Sequence, residues 1–171
     1  MQLAFVIKNH TPYDFRVVLL HQTYGKIVCR FNKTDQAVLL TSGSLIWCTV
    51  QKNHITYKII HLEIESQVAI QNLKFMHDIM KLCLHGMPTN IAAPEFFDFL
   101  LYVQKNVNKF SEKSQKIALL RVFLMLDLLV DDEVVLQVAI LDPAGKILQD
   151  KITLEKYIKH CWNNFFQIKS L

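Results

Sequence analysis

At Ser66 the hydrophobic period of this chain changes. Before it, apolar residues come in short blocks separated by turn formers; after it, they recur every three or four positions. The early blocks are "LAFVI", "DFRVVLLH", "KIVCRF", "AVLLTSGSLIWCTVQK" and "HITYKIIHLEIE", rich in Val, Ile, Thr, Tyr and Trp. Such composition in short runs predicts strands. "QTYG" joins the second and third runs, where Gly25 supplies the positive φ of a tight hairpin, and Asn53-His54 suits a turn between the last two. Five short strands leave edges that must be hidden, and a closed five-stranded barrel of the OB type hides them.

Beyond Ser66, "SQVAIQNLKFMHDIMKLCLHGM" places Val68, Leu73, Met76, Met80, Cys83 and Leu84 near one stripe, which predicts a helix. Ser66 is its expected N-cap, and Gly86 with Pro88 its stop. "PEFFDFLLYVQKNV" predicts a second helix, with Pro94 in the first helical position and Glu95 at the positive dipole end. "SEKSQKIALLRVFLMLDLLV" predicts a third, capped by Ser111 and apolar on a broad face. Residues 134–149 read as a β-hairpin around Asp142-Pro143-Ala144-Gly145, with a helix begun by "DDEVVLQVAIL" as the alternative. A closing helix then follows Thr153. The expected class is α+β: an N-terminal five-stranded OB-type β-barrel over 1–65, followed by a helical domain over 66–171.

Several functions are disfavoured by residue type and spacing. The four glycines build neither a phosphate-binding loop nor a dinucleotide fingerprint, and there is no G-x-S-x-G elbow. No catalytic residue is assigned, no cofactor is expected, and the chain is read as a non-enzyme. The four cysteines, at 29, 48, 83 and 161, lack the clustering of a zinc site or disulfide framework and read as reduced, buried thiols. His77, Cys83 and His85 do not share a helix face, and Asp131, Asp132 and Glu133 read as helix-capping or turn acids, so no metal site is assigned. No signal segment or run of bilayer length is evident, so a cytoplasmic protein without membrane contact is expected.

Charge is more informative. The formal net charge is +4. Residues 1–65 hold Lys8, Arg16, Lys26, Arg30, Lys33, Lys52 and Lys58 against four carboxylates, whereas 66–171 are nearly balanced. Strand alternation puts Lys26 and Arg30 on one face and Ile27, Cys29 and Phe31 on the other. A groove for single-stranded nucleic acid needs such cations and outward aromatics. Tyr13, Tyr24 and Tyr57 are the candidates for stacking, and Phe15, Phe31 and Trp47 are assigned to the core. Solvated surface charge is the competing reading.

"AFVIKNHTPYDFRVVLLHQTYGKIVCRF", with Thr23-Tyr24-Gly25-Lys26 at its turn, resembles the opening of the RecO family of recombination mediators. "GSLIWCTVQKNHITYKIIHLEIES" is similar to that family's later barrel strands, and "LKFMHDIMKLCLHGMPTNIAAPEFFDFLLYVQ" and "ALLRVFLMLDLL" to the helices that follow. Together these cover about residues 1–130. The four-cysteine zinc module of many members is absent, and their basic stretch is reduced to Arg30 and Lys33 in "RFNKTDQ". The resemblance implies single- and double-stranded DNA as partners, with strand annealing and recombinase loading in recombinational repair. It also implies a RecR-like partner and the tail of a single-strand-binding protein. Lys105, Lys109, Lys113, Lys116 and Arg121 are the helical-domain cations expected to meet that acidic tail. The alternative is a protein-interaction module that kept the fold without DNA binding.

Overall fold

The computed structural model describes residues 1–10, 15–31, 40–54, 56–128, 155 and 158–163. Tyr13, Lys33, the acids at 131–133, the hairpin expected at 134–149 and the Thr153 cap lie outside the described residues. The strands are β1 (Gln2–Asn9), β2 (Arg16–His21), β3 (Gly25–Arg30), β4 (Leu45–Asn53) and β5 (Thr56–Ser66). The helices are α1 (Leu73–Gly86), α2 (Pro94–Asn106) and α3 (Glu112–Met125). The chain divides into two compact units, Met1–Gln104 and Lys105–Leu171, so α1 and nearly all of α2 belong with the barrel.

The strands close in the order β1-β2-β3-β5-β4, the arrangement of an OB-type barrel. All pairings are antiparallel except β3 with β5, which run parallel and meet only at Cys29–Tyr57 and Arg30–Lys58. Inside lie Ala4, Val6, Val17, Leu19, Ile27, Cys29, Ile46, Cys48, Tyr57 and Ile59. The unbroken apolar runs "AFVI" and "VVLL" have a physical cause: β1 and β2 are buried on both faces. Ala4 and Val6 face the barrel, while the Phe5 ring meets Phe97 of α2 at 5.4 Å between centroids. β3, by contrast, alternates buried and accessible residues and has one open face.

Two glycines set the local path. Gly25 has φ +69°, and a Cβ there would lie 1.8 Å from the Ile91 carbonyl oxygen. The segment after α1 is laid against the free edge of β3: Thr89 bridges Lys26 in parallel, and the Asn90 N–H donates to the Lys26 carbonyl at 2.8 Å. Gly43 has φ +88° in the turn before β4, where the Ser44 N–H donates to the Thr41 carbonyl. That turn is why β4 starts at Leu45 and not earlier in the apolar run.

Helix ends differ from the sequence expectation at two places. Ser66 is not an N-cap: it is the last residue of β5, and its hydroxyl accepts from Gln104 Nε2 at 3.3 Å. A 3-10 turn at Ile70–Asn72 precedes α1, and Leu73 is exposed. α3 stops at Met125 although apolar residues continue. Asp127 takes φ +55°, the Leu128 N–H donates to the Phe123 carbonyl, and the Asp127 N–H donates to that of Leu124. This is a Schellman end with aspartate in the usual glycine position. The other two starts are as expected: Pro94 opens α2, and the Ser111 hydroxyl accepts from the Ser114 N–H at 3.1 Å. In the second unit residues 158–163 are helical, and Trp162 sets its ring edge-on to Phe123 at 6.0 Å.

Candidate nucleic-acid interface

Register brings three of the predicted cations into one row. Arg16 of β2 pairs directly with Arg30 of β3, and Arg30 pairs with Lys58 of β5. Their neighbours Val17, Cys29, Tyr57 and Ile59 belong to the barrel core, so all three cations point outward. Like charges directly opposite one another destabilise a sheet by a few tenths to about 1 kcal/mol per pair. Such a row is offset when an anion lies across it. Arginine suits that role because its planar fork meets phosphate oxygens in pairs.

The row borders a cleft of about 190 Å³ where β3 and β5 diverge. Arg16, Val28 and Arg30 form one wall, Thr56 and Tyr57 another, and Thr89 and Asn90 close it. Among the described residues no carboxylate lines it. Val28 is exposed between Lys26 and Arg30 and adds an apolar strip. Lys52, opposite Tyr57 on β4, sets its ammonium 6.0 Å from the Tyr57 ring centroid. Arg16, Arg30, Lys52 and Lys58 thus gather at one end of the barrel.

The other predicted cations go elsewhere. Lys26 Nζ donates to the Leu84 carbonyl at 2.8 Å, tying the hairpin to the last turns of α1. Lys8 lies on β1 opposite Val18 and faces α1. In the second unit Lys116 pairs with Glu112 at 2.9 Å and with Glu155. The Glu155 carboxylate, with Glu112, holds its ammonium above the ordinary lysine range. Lys105 and Lys109 are exposed, while Lys113 and Arg121 are half-buried.

The aromatic assignments need correction. Tyr57 is a core residue, 4% exposed, because Lys58 points out and its strand neighbours must point in. Phe15, 49% exposed, precedes β2; its carbonyl, not its ring, is engaged, accepting from the Phe31 N–H at 2.9 Å. Trp47, 36% exposed, alternates with buried Ile46 and Cys48 and donates from Nε1 to Glu65 at 2.7 Å. Phe31 is buried as expected, and Tyr24 is partly exposed but stacked on His21 at 4.9 Å. Among the described residues, Phe15, next to Arg16 in the chain, is an exposed aromatic near the cationic row. The Thr89–Asn90 wall was missed from sequence, where "MPTN" reads only as a helix stop.

The thiols are unsuited to nucleophilic work. All four cysteines are free and buried. Burial raises the Cys29 thiol far above its usual range, that of Cys48 to about 11 and that of Cys83 to about 12. Among the described residues no three His, Cys, Asp or Glu side chains gather as a metal site, and no helix is long and apolar enough to cross a membrane.

Fold and face together define an α+β protein on a closed OB-type barrel with a cationic row at the β2–β3–β5 end. No protein-family model matches the chain, and no curated protein matches it.

Proposed function

We propose that the protein binds single-stranded DNA across the β2–β3–β5 end of its barrel and acts by binding, without bond chemistry. The carrying observation is the outward row Arg16, Arg30 and Lys58, set side by side across β2, β3 and β5 at one end of the barrel. Phosphates cross that row, Lys52 extends it, and Phe15 offers an exposed ring for a base. On this reading the chain is a shortened RecO-type mediator, an OB-type barrel followed by a helical domain. It assists annealing and recombinase loading in the cytoplasm, with a RecR-like protein and a single-strand-binding protein as partners. Support for that finer assignment is the resemblance of residues 1–130 and the barrel's strand order.

The test is fluorescence anisotropy of labelled single-stranded DNA at two salt concentrations. Three or four phosphate contacts predict a loss of roughly 20- to 50-fold in affinity from about 50 to 200 mM salt. Charge reversal of Arg16, Arg30 and Lys58 to Glu should abolish binding at both. Absence of binding by the native protein at low salt refutes the reading. So does equal binding by native and reversed proteins. A second reading, an interaction module without DNA binding, is favoured by the commitment of Lys26 to Leu84 and of Lys116 to two glutamates.

A further inference from the structure

A separate groove runs between β1, the turn before β4, and α1, with a volume of about 730 Å³. That is the size of a small-molecule site. Its floor is aliphatic: Ile7, Leu40 and Met80 are buried and Leu84 half-buried. Its rim is cationic or titratable: Lys8 from β1, and His77, Lys81 and His85 at four-residue intervals along α1. Among the described residues no carboxylate lines it. Asp78, half-buried on α1, is outside the lining, and burial raises its carboxyl against the pull of Lys74, His77 and Lys81. A second cavity of about 380 Å³ shares Thr41, Ser42 and His77 and extends the groove to Leu73 and Lys74. From Leu73 to His85 the rise of α1 is roughly 18 Å, so the groove is elongated.

The neutral polar groups of the groove are spent on the chain itself. Asn9 Nδ2 donates to the Leu40 carbonyl at 3.0 Å, Ser42 Oγ to the Ile7 carbonyl at 2.7 Å, and Thr41 Oγ1 bonds Ser44 Oγ at 2.8 Å. These bonds pin the turn to β1, so the wall is preformed. They also leave little to recognise a peptide backbone, which needs donors and acceptors along its length. An apolar trough with a cationic rim is complementary to a flexible alkyl chain ending in an anion.

We propose that this groove binds a free single-chain carboxylate, its alkyl chain over Ile7, Leu40, Met80 and Leu84 and its head group between Lys8 and Lys81. The site is independent of the cationic row on the barrel. Isothermal titration of the full-length protein with decanoate, below its micellar concentration, tests it. Decanoate should bind at one site per chain, and decanol, with the same chain and no charge, about tenfold more weakly, as loss of a charge-assisted contact implies. The Lys8→Gln, Lys81→Gln double variant should lose a similar factor while keeping its far-UV circular dichroism. Leu84→Trp, which fills the trough, should block binding through the tail. Equal affinity for decanol and decanoate overturns the proposal, as does an unchanged double variant. An acidic Asp/Leu peptide that binds more tightly than decanoate also overturns it, in favour of a protein partner.

Discussion

Acidification should destabilise this barrel through one histidine. His21 ends β2, is 1% exposed, and stacks under Tyr24. Its Nδ1 accepts the backbone N–H of Thr23 at 3.2 Å and of Tyr24 at 3.4 Å, which fixes the ring proton on Nε2. A proton on Nδ1 of this buried ring would face two backbone donors. Burial accordingly lowers the His21 pKa from 6.5 to about 4. Between those values the unfolded chain binds the proton and the folded chain does not. Stability is therefore full above pH 6.5 and falls as pH drops toward 4, by about 1.4 kcal/mol per pH unit and about 3 kcal/mol in all. Urea denaturation from pH 7.5 to 4.5 measures this directly. His21→Gln, neutral throughout, subtracts the background of the carboxylates. Native protein should lose about 2 to 3 kcal/mol more than the variant over that interval. The His21 ring resonances should stay those of neutral imidazole at pH 5.5. Parallel stability curves for the two proteins, or a His21 titration midpoint near 6.5, would refute the reasoning.

Further perturbations report on other joints. Gly25→Ala should cost roughly 2–3 kcal/mol, from the left-handed backbone and loss of the Asn90–Lys26 bond as Ile91 is pushed away, read by denaturant unfolding. Asp127→Gly should stabilise by about 0.5–1 kcal/mol, because the Schellman position is relieved of its Cβ; an unchanged or lowered midpoint would contradict the assigned helix end. Ser111→Ala should cost about 1 kcal/mol by leaving the Ser114 N–H uncapped, and Ser111→Asp should restore most of it. Arg30→Thr should hold or raise stability without ligand by up to about 1 kcal/mol while weakening DNA binding; a clear loss of stability would mean the row is structural.

Local chemistry was readable at three positions. Gly25, Pro94 and Ser111 each act within a few positions, and the structure uses them as turn, helix start and cap. Strand parity was also present in the letters: in "TYKIIH" an outward Lys58 forces Tyr57 inward, and in "IWCT" buried Ile46 and Cys48 force Trp47 out. Parity places Tyr57 inside and Trp47 outside, the reverse of the expectation. The stop at Asp127 was hidden because aspartate is an uncommon Schellman residue and the apolar run continues past it. The row itself was out of reach, since it depends on a parallel contact between β3 and β5, more than 25 residues apart in sequence, at just two positions of each strand.

That contact also explains why the candidate face lies where it does. Double-sided burial of β1 and most of β2 commits the outer surface there to α1 and α2, and the cation of that side, Lys8, is turned toward the groove. The outer face of β3 is open over Val28 and Arg30, but its first residues are covered by the Thr89–Asn90 segment and its lysine is drawn to Leu84. Among the described residues of β2 and β3, the Arg30 end of β3 and the Arg16 end of β2 remain accessible, beside the start of β5. A ligand crossing that end meets Arg16, Arg30 and Lys58 together. An anion lying across the row offsets the repulsion among like charges set side by side.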